Sequence, residues 1–327
     1  MKKNANRSLN AAKATKQDEF YTQLSDIEKE LVHYKKHFQG KTVLCNCDDP
    51  RVSNFFKYFL NNFQSLRLKK LISTCYRNDK PDLFSQDKSD RGIYFEYSGE
   101  QNDQRLPDPA KIKPHELKAD GDFRSEECVN LLKQADIVVT NPPFSLFREY
   151  VTQLIAARKK FLIIGNHNAI IYKEIFRFIK ENEIWLGYTH PVAFVVPDHY
   201  EMRPVRSWRS ADGTNWRSLG NACWFTNLDI AKRHEELPIY ESYTPEKFPR
   251  YDNYDAIEVT RYKEIPADYD GVMGVPVTFL EQYNPDQFEI VGSNRGVDQD
   301  SNGVYGRGSH LRGKETFKRL FIRRRKV

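Results

Sequence analysis

The sequence lacks the features that mark membrane-spanning and secreted proteins. Its best apolar runs, Phe161–Gly165 and Val192–Val196, are far shorter than the ~18–20 residues that a spanning helix needs. The basic N-terminal segment is not followed by the apolar stretch that a signal peptide requires. We therefore expect no membrane association, and we expect a cytoplasmic protein.

Cysteine is scarce, and glycine is missing from the pattern in which nucleotide-binding loops use it. The five cysteines are an odd number, and no two form a Cys-x-x-Cys pair, which argues against a disulfide framework and a structural zinc site. No cluster of His, Cys and Asp has metal-ligand spacing, so we expect no metal. The absence of Gly-x-Gly-x-x-Gly removes the main support for a dinucleotide or P-loop protein, including a nicotinamide dehydrogenase.

Acidic residues are few at the two ends of the chain. The chain has 51 basic and 45 acidic residues, a net charge of only +6. However, five lysines and arginines precede the first acid, Asp18, and nine basic residues from Arg307 onward face the single acid Glu315. Such ends are typical of segments that bind a polyanion, and equally of tails that keep a protein soluble.

Short apolar segments alternate with amphipathic ones up to about residue 190. This alternation indicates an α/β protein with a doubly wound, mostly parallel sheet. The predicted strands are 41–46, 71–76, 93–97, a short strand ending at 120–122, 136–140 and 161–164. The predicted helices begin with the caps Ser25, Asp49–Pro50, Ser125 and Ser145, and a further helix covers 169–180.

The pattern changes beyond residue 196. Arginines and tryptophans crowd residues 203–217, and residues 237–265 are rich in Pro, Tyr, Glu and Asp without a clear period. We therefore predict one domain over residues 1–196 and a second, irregular region over 197–327. The second region is expected to contain closing strands of the sheet and a basic C-terminal arm, in which 317–326 forms an edge strand.

The tetrapeptide Asn141-Pro142-Pro143-Phe144 carries the strongest functional signal. It follows a buried strand directly, and ligands of α/β sheets bind at the carboxyl ends of strands. The two prolines fix φ, so that the Asn141 side-chain oxygen and the Pro142 carbonyl form a rigid pair of acceptors for a planar amino group. Phe144 can stack on the ring that carries this group. The alternative is a turn that merely ends the strand, since Asn and Pro are common turn residues.

This tetrapeptide resembles the hallmark of amino-group methyltransferases that use S-adenosylmethionine. The sequence as a whole resembles the EcoRI-type adenine-specific DNA methyltransferases over nearly the whole chain. The matching stretches are 18–22, 45–58, 120–124, 136–147 and 271–276. The resemblance implies a Rossmann-like methyltransferase fold, in which residues 1–196 bind S-adenosylmethionine and catalyse transfer while 197–327 contain the target-recognition region. It also implies a bacterial restriction–modification enzyme that methylates N6 of adenine in a short duplex site.

The same resemblance and the chemistry of the cofactor assign candidate binding residues. Asp48 and Asp49 suit the ammonium, while the predicted helix N-terminus at Pro50 suits the carboxylate. Asp122 and Phe123 resemble the pair that holds the cofactor's adenine. The full predicted set is Tyr21, Thr22, Cys45, Asn46, Asp48, Asp49, Asp122, Phe123 and Asn141. The segment 45–47 departs from the family, which usually has glycines there, and Cys75-Tyr76 stands where the family has an acid for the ribose.

DNA contacts are predicted from arginines that alternate with tryptophans, and from the basic C-terminal arm. Arginine reads guanine edges and phosphates, and aromatic rings stack on bases. Because a base inside a duplex is out of reach, we expect the target adenine to be flipped into the pocket beside Phe144. The predicted residues are Arg203, Arg206, Trp208, Arg209, Trp216, Arg217, Arg324 and Arg325. A polar loop anchored by two tryptophans is the alternative for the first six.

The sequence is also compatible with other methyl acceptors and with other classes of protein. The Asn-Pro-Pro-Phe chemistry also serves an RNA adenine or a protein glutamine amide. A catalytically silent DNA-binding protein on the same fold is a further alternative, and cofactor binding would distinguish it. A cognate endonuclease is possible, but nothing in the sequence implies a stable complex with one.

Overall fold

The computed structural model describes residues 20–47, 49–76, 91–99, 108–198, 200–202, 204–295 and 308–325. These residues divide into two compact units. The first unit contains the chain up to His167 together with Gly187–Leu228, and the second contains Asn168–Leu186 together with the chain from Asp229 onward. The predicted functional boundary between residues 196 and 197 stays a prediction. No helix in the described ranges is long and apolar enough to cross a membrane.

The secondary structure alternates helices and strands through the first unit and becomes strand-rich later. The α-helices are α1 Leu24–Leu31, α2 Asn54–Asn61, α3 Glu126–Gln134, α4 Phe147–Ala156 and α5 Lys173–Lys180, and 3-10 turns include Val32–Phe38, His167–Ile171 and Val277–Gln282. In chain order the strands are β1 Thr42–Asn46, β2 Lys70–Cys75, β3 Ile93–Tyr97, β4 His115–Glu116, β5 Ile137–Thr140, β6 Lys160–Asn166, β7 Trp185–Leu186, β8 Ala193–Val195, β9 Ser207–Arg209, β10 Asn215–Ser218, β11 Ala222–Thr226, β12 Ile257–Glu258, β13 Met273–Pro276, β14 Phe288–Ser293, β15 His310–Leu311, β16 Lys314–Glu315 and β17 Arg319–Arg324.

Seven strands of the first unit lie side by side in the order β4-β3-β2-β1-β5-β6-β11. The four central strands, β2, β1, β5 and β6, are parallel, whereas β3, β4 and β11 pair antiparallel at the flanks. Every residue of β1 and β5 is buried, as expected of parallel strands covered on both faces. The prediction of an α/β protein around a large parallel sheet is thereby confirmed. The strand order reverses between β1 and β5, which makes their carboxyl ends the switch point of the sheet.

The predicted helix starts were right at one position and wrong at three. Ser125 caps α3 by accepting a hydrogen bond from the Cys128 amide. Ser25 lies inside α1, so it is not the cap of that helix. Ser145 does not cap α4 either, because the residue before that helix is Leu146, and neither helix has a side-chain cap.

The predicted helix start at Asp49–Pro50 was also wrong, because α2 begins at Asn54 with Ser53 as its cap. The Asp49 carboxylate instead accepts from the amide of Arg51, two residues on, which forms a local turn. The short strand expected to end at residues 120–122 is also displaced, since β4 ends at Glu116.

A buried carboxylate joins α1 to the segment that follows Gly187. Glu30 is fully buried and accepts hydrogen bonds from the Tyr34 hydroxyl, the amides of Tyr188 and Thr189, and the Thr189 hydroxyl, at 2.7–2.8 Å. Burial raises the pKa of Tyr34 well above its usual value, and the Glu30 charge raises it further. These hydrogen bonds hold α1 against the segment 187–189.

The predicted irregular region contains an ordered hairpin. Strands β9 and β10 pair antiparallel, and β10 also pairs with β8, in the order β8-β10-β9. Trp216 lies opposite Trp208 on one side and opposite Val195 on the other. The tryptophans therefore belong to a small sheet and not to an irregular loop.

The second unit is built around the sheet β12-β13-β17-β14. Strand β17 lies between β13 and β14, and its residues Leu320, Phe321 and Ile322 are fully buried. The prediction that 317–326 forms an edge strand in a basic arm was therefore wrong for residues 319–324. Burial of Leu320, Phe321 and Ile322 stabilises this central position by about 1.5–3 kcal/mol for each side chain. This gain exceeds the cost of placing the flanking arginines next to a buried strand.

Candidate active site

Asn141 occupies the switch point of the sheet. It follows β5 directly, and the last residue of that strand, Thr140, donates its hydroxyl hydrogen to the carbonyl of Asn46 at the end of β1. Asn141 is only 6% exposed. The strand ends thus hold this side chain at the edge of the sheet where α/β proteins bind their ligands.

The Asn141 amide is fixed in one orientation. Its nitrogen Nδ2 donates to the Phe20 carbonyl at 2.6 Å and to the hydroxyl oxygen of Thr22 at 3.2 Å. Both hydrogens of the amide are then used, so the oxygen Oδ1 must face the other way. Oδ1 is buried and accepts no hydrogen bond from any described residue. A buried acceptor without a donor costs about 1–3 kcal/mol, which points to a donor supplied by a ligand.

Pro142 provides a second acceptor at the same place. The carbonyls of Pro143 and Phe144 accept from the amides of Leu146 and Phe147 in the turn that leads into α4. The carbonyl of the buried Pro142, in contrast, is not one of the acceptors used in this turn. Because proline also lacks an N–H, this stretch presents acceptors only, as the sequence led us to expect.

Aromatic rings surround this pair of acceptors. Phe144 is half-buried, and its ring centroid lies 5.5 Å from that of Phe20. Phe20 also contacts the buried rings of Phe194 and Tyr200, at 5.9 and 6.1 Å. Sequence reasoning identified Phe144 and the segment that contains Phe20, but it missed Phe194 and Tyr200. Phe194 and Tyr200 reach the site because Tyr21 pairs with Val195, and no local pattern signals that pairing.

The loop after β1 takes a conformation that glycine usually supplies. Cys45 and Asn46 are buried, and the Asn46 side-chain oxygen accepts from the hydroxyl of Tyr150. Cys47 has a φ of 80°, in the left-handed region that is unusual for a residue with a side chain. A cysteine therefore occupies a backbone position that glycine adopts more easily. Asp48 lies outside the described residues.

Asp49 is already engaged by a neighbour. It is 5% exposed, and both of its carboxylate oxygens accept from the guanidinium of Arg51, at 2.6–3.1 Å. The expectation that a helix N-terminus at Pro50 holds a carboxylate is wrong, because the helix begins four residues later.

Asp122 and Phe123 lie in a turn before α3. Both oxygens of Asp122 accept from Arg124, whose amide and Nε lie 2.9 and 2.8 Å from Oδ1. This hydrogen bonding raises the pKa of Arg124. Phe123 is buried edge-on against Tyr150, with centroids 5.0 Å apart. Gly121 has a φ of 82°, and a Cβ there would lie 2.3 Å from the Cys75 carbonyl, so the turn packs directly on the end of β2.

The small sheet carries most of the predicted DNA-binding residues. The rings of Trp208 and Trp216 are stacked, with centroids 6.0 Å apart and planes within 5°. The three described arginines, Arg206, Arg209 and Arg217, each donate to a nearby backbone carbonyl. Arg203 lies outside the described residues.

The other predicted DNA-binding residues end β17 and follow it. Arg324 donates to the Ala267 carbonyl, and Arg325 donates to that of Pro285 at 2.7 Å. Both guanidinium groups bind neutral carbonyls, and among the described residues neither is paired with a carboxylate.

Comparisons with known proteins bear on the chemistry of this site. The family described as Adenine-specific methyltransferase EcoRI matches residues 8–325. The chain is 50% identical over 319 residues to the Type II methyltransferase M.EcoRI of Escherichia coli, which covers 95% of this chain and 97% of that protein. It is 40% identical over 289 residues to M.MgeORF184P of Mycoplasma genitalium (86% and 85%), and 35% identical over 332 residues to M.MpnI of Mycoplasma pneumoniae (97% and 98%), both named Type II methyltransferases. No solved structure matches the chain significantly.

Proposed function

The chain belongs to the EcoRI family of adenine-specific methyltransferases, and from this premise we propose how its residues carry out methyl transfer. It is an adenine-specific methyltransferase of the restriction–modification type. The proposed reaction transfers a methyl group from S-adenosylmethionine to N6 of an adenine in a short site of duplex DNA. The proposed arrangement of the first unit is the Rossmann-like methyltransferase fold, with the site at the β1–β5 switch point.

The observation that carries this proposal is the buried oxygen of Asn141, which has no donor within the described residues. An exocyclic amino group offers two hydrogens in one plane, which match Oδ1 of Asn141 and the carbonyl of Pro142. Accepting both hydrogens keeps the nitrogen lone pair out of conjugation with the ring and directs it outward as a nucleophile. Phe144 packs against the base, and the neighbouring rings exclude water from it.

No general base is required of the protein. The amide of Asn141 and the carbonyl of Pro142 do not titrate, and their contribution is to align and desolvate the nucleophile. The amino group loses its extra proton after the new carbon–nitrogen bond has formed. Because the target nitrogen is inaccessible inside a duplex, the adenine is flipped out of the stack, at a cost of a few kcal/mol.

The side chains near the sheet edge fit the chemical groups of the proposed cofactor. When bound, S-adenosylmethionine supplies a methyl group activated by a sulfonium sulfur. Asp122 offers a carboxylate for the adenine amino group beside the buried ring of Phe123, and Tyr21, Cys45 and Asn46 border the strand end. The remaining proposed contacts are Thr22, Asp48, Asp49 and Asn141.

Thr22 fits two roles at once. Its hydroxyl oxygen accepts from Asn141, while the hydroxyl hydrogen stays available for the cofactor. Asp49 acts together with Arg51, so the loop presents an ion pair to the amino acid part of the cofactor and not a lone carboxylate.

The DNA contacts are proposed for the small sheet and for the end of β17. Trp208 is 44% exposed, and its stacked arrangement with Trp216 offers a flat aromatic face. Arg206 and Arg209, near Trp208 in the sequence, are exposed as well. The other proposed contacts are Arg203, Arg217, Arg324 and Arg325.

The test is methyl transfer from labelled cofactor to duplex DNA, followed by mapping of the modified base. We expect label on N6 of adenine at one short sequence. The same assay on RNA and on protein separates the alternative acceptors. Label that appears on cytosine, or only on RNA or protein, would contradict the proposal.

A further inference from the structure

The hairpin formed by β15 and β16, residues 310–315, has a rigid tip. Its two central residues, Arg312 and Gly313, have φ values of 51° and 75°, the left-handed pair that tight hairpin turns require. Their amides donate to the two carboxylate oxygens of Asp252, at 3.1 and 2.8 Å. The Asp252 carboxylate thus fixes the backbone of the two turn residues.

The base of this hairpin is anchored equally well. The Asn253 side chain accepts from the His310 amide at 2.9 Å and donates to the Gly308 carbonyl at 2.8 Å. The buried hydroxyl of Ser309 accepts from the side chain of Asn294 at 2.8 Å. Side chains carried on such a backbone are presented without a loss of backbone entropy on binding.

Two positive charges on the hairpin are uncompensated. The side chains of Arg312 and Lys314 are exposed, and neither has a carboxylate or hydrogen-bond partner among the described residues. The acid on the hairpin, Glu315, is paired with Arg295 at 2.8 Å.

The basic residues of the following strand differ from this pair. Arg319 binds the buried Glu258, and Arg323 binds Glu289. The charges of Arg319 and Arg323 are therefore engaged by acids, whereas Arg312 and Lys314, like Arg324 and Arg325 at the end of β17, are paired with no acid among the described residues.

An exposed aromatic ring lies beside these charges. Phe317 follows β16 and is 70% exposed, with the Lys318 ammonium 5.6 Å from its ring centroid. Arg312, Thr316 and Phe317 are among the residues that line an open groove of about 480 Å³. Its lining also includes Glu246 and Lys247, and the Lys247 ammonium is paired with Glu241 at 2.7 Å. Cations around an exposed ring match the two components of a nucleic acid strand, its phosphates and its flat sugar–base faces.

We propose that this hairpin is a DNA-contacting surface of the second unit, and this rests on the proposed function. Arg312 and Lys314 bind phosphates of the duplex, and Phe317 packs against the adjacent sugar. The contacts are to the backbone, so they position the duplex and contribute no sequence preference.

The test is DNA affinity against salt concentration for the double variant Arg312→Gln/Lys314→Gln. Each phosphate contact contributes about 0.9 to the slope of log affinity against log salt, so two lost contacts reduce the slope by about 1.8. At 0.1 M salt the corresponding loss of affinity is up to about 60-fold, and it is equal for duplexes with and without the methylation site.

The matched control is Lys35→Gln/Lys36→Gln, which removes two exposed charges from the 3-10 turn after α1. It is expected to leave the slope unchanged. Phe317→Ser is expected to weaken binding at every salt concentration without changing the slope. Thermal unfolding of each variant confirms that it folds.

An unchanged slope in the hairpin variant would overturn the proposal, and so would an equal change in the control. Loss of affinity for the methylation site alone would also overturn it, because phosphate contacts are blind to sequence. Methyl transfer by the parent protein is measured alongside. If the parent methylates duplex DNA while the slope is unaffected by the hairpin variant, the hairpin assignment alone fails and the function stands.

Discussion

Replacing Thr22 with valine tests how the amide of Asn141 is oriented. Valine keeps the shape of threonine but removes the oxygen that accepts from Nδ2 of Asn141 at 3.2 Å. One hydrogen of the amide then has no acceptor at a position that is almost fully buried, which costs about 1–3 kcal/mol. The amide can recover this energy by rotating, and rotation moves Oδ1 away from the place where the amino group must bind.

The expected result is a fall in the methyl transfer rate at saturating substrates, together with weaker cofactor binding and little change in DNA binding. If the variant loses ~1.4–2.7 kcal/mol of transition-state stabilisation, its rate falls about 10- to 100-fold. The assay is single-turnover methylation of a duplex that contains the site, with both substrates saturating. Cofactor affinity is measured separately, because the hydroxyl hydrogen of Thr22 is also proposed to contact the cofactor.

Thr22→Ser is the matched control, since serine keeps the hydroxyl and should retain most of the rate. Three results would refute the reasoning. The valine variant could methylate at the parent rate, or the serine variant could be as slow as the valine variant. Alternatively, the whole loss could lie in cofactor affinity, with the saturated rate unchanged, which would make Thr22 a cofactor contact and nothing more.

Further predictions concern the acceptor, the aromatic ring, the distal arginines and the buried carboxylate. Asn141→Ala should abolish methyl transfer and keep cofactor and DNA binding; near-parent turnover would rule out the assigned motif. Phe144→Ala should reduce the fluorescence increase of 2-aminopurine placed at the target position, and an undiminished signal would argue against stacking. Arg324→Gln/Arg325→Gln should weaken binding to all DNA and flatten its salt dependence; an unaltered slope would remove these residues from the interface. Glu30→Gln should lower the free energy of unfolding by about 2–3 kcal/mol in urea titrations, because an amide cannot accept from all four donors; a loss below 0.5 kcal/mol would show that the cluster rearranges.

The centre of the fold could be predicted because its strands are continuous apolar runs. Strands β1, β2, β3, β5 and β6 appear within a residue or two of the expected positions. The starts of helices were harder, because serine and aspartate favour caps and turns alike. Asp49 shows the competition directly, since its carboxylate binds the amide and guanidinium of Arg51 in place of a helix N-terminus.

Long-range pairing could not be predicted from local patterns. The apolar trio inside β17 lies between basic residues, so its position in the middle of a sheet depends on partners tens of residues away. The same holds at the site. The tetrapeptide at 141–144 identified the acceptor, but the bonds that orient it come from Phe20 and Thr22, 121 and 119 residues earlier in the chain.

The most direct measurement is a structure of the protein with duplex DNA and a non-reactive analogue of the cofactor. We predict a flipped adenine whose N6 lies about 2.7–3.2 Å from Oδ1 of Asn141 and from the carbonyl of Pro142. An Asn141 side chain that points into the protein, with the target nitrogen held by other groups, would contradict it.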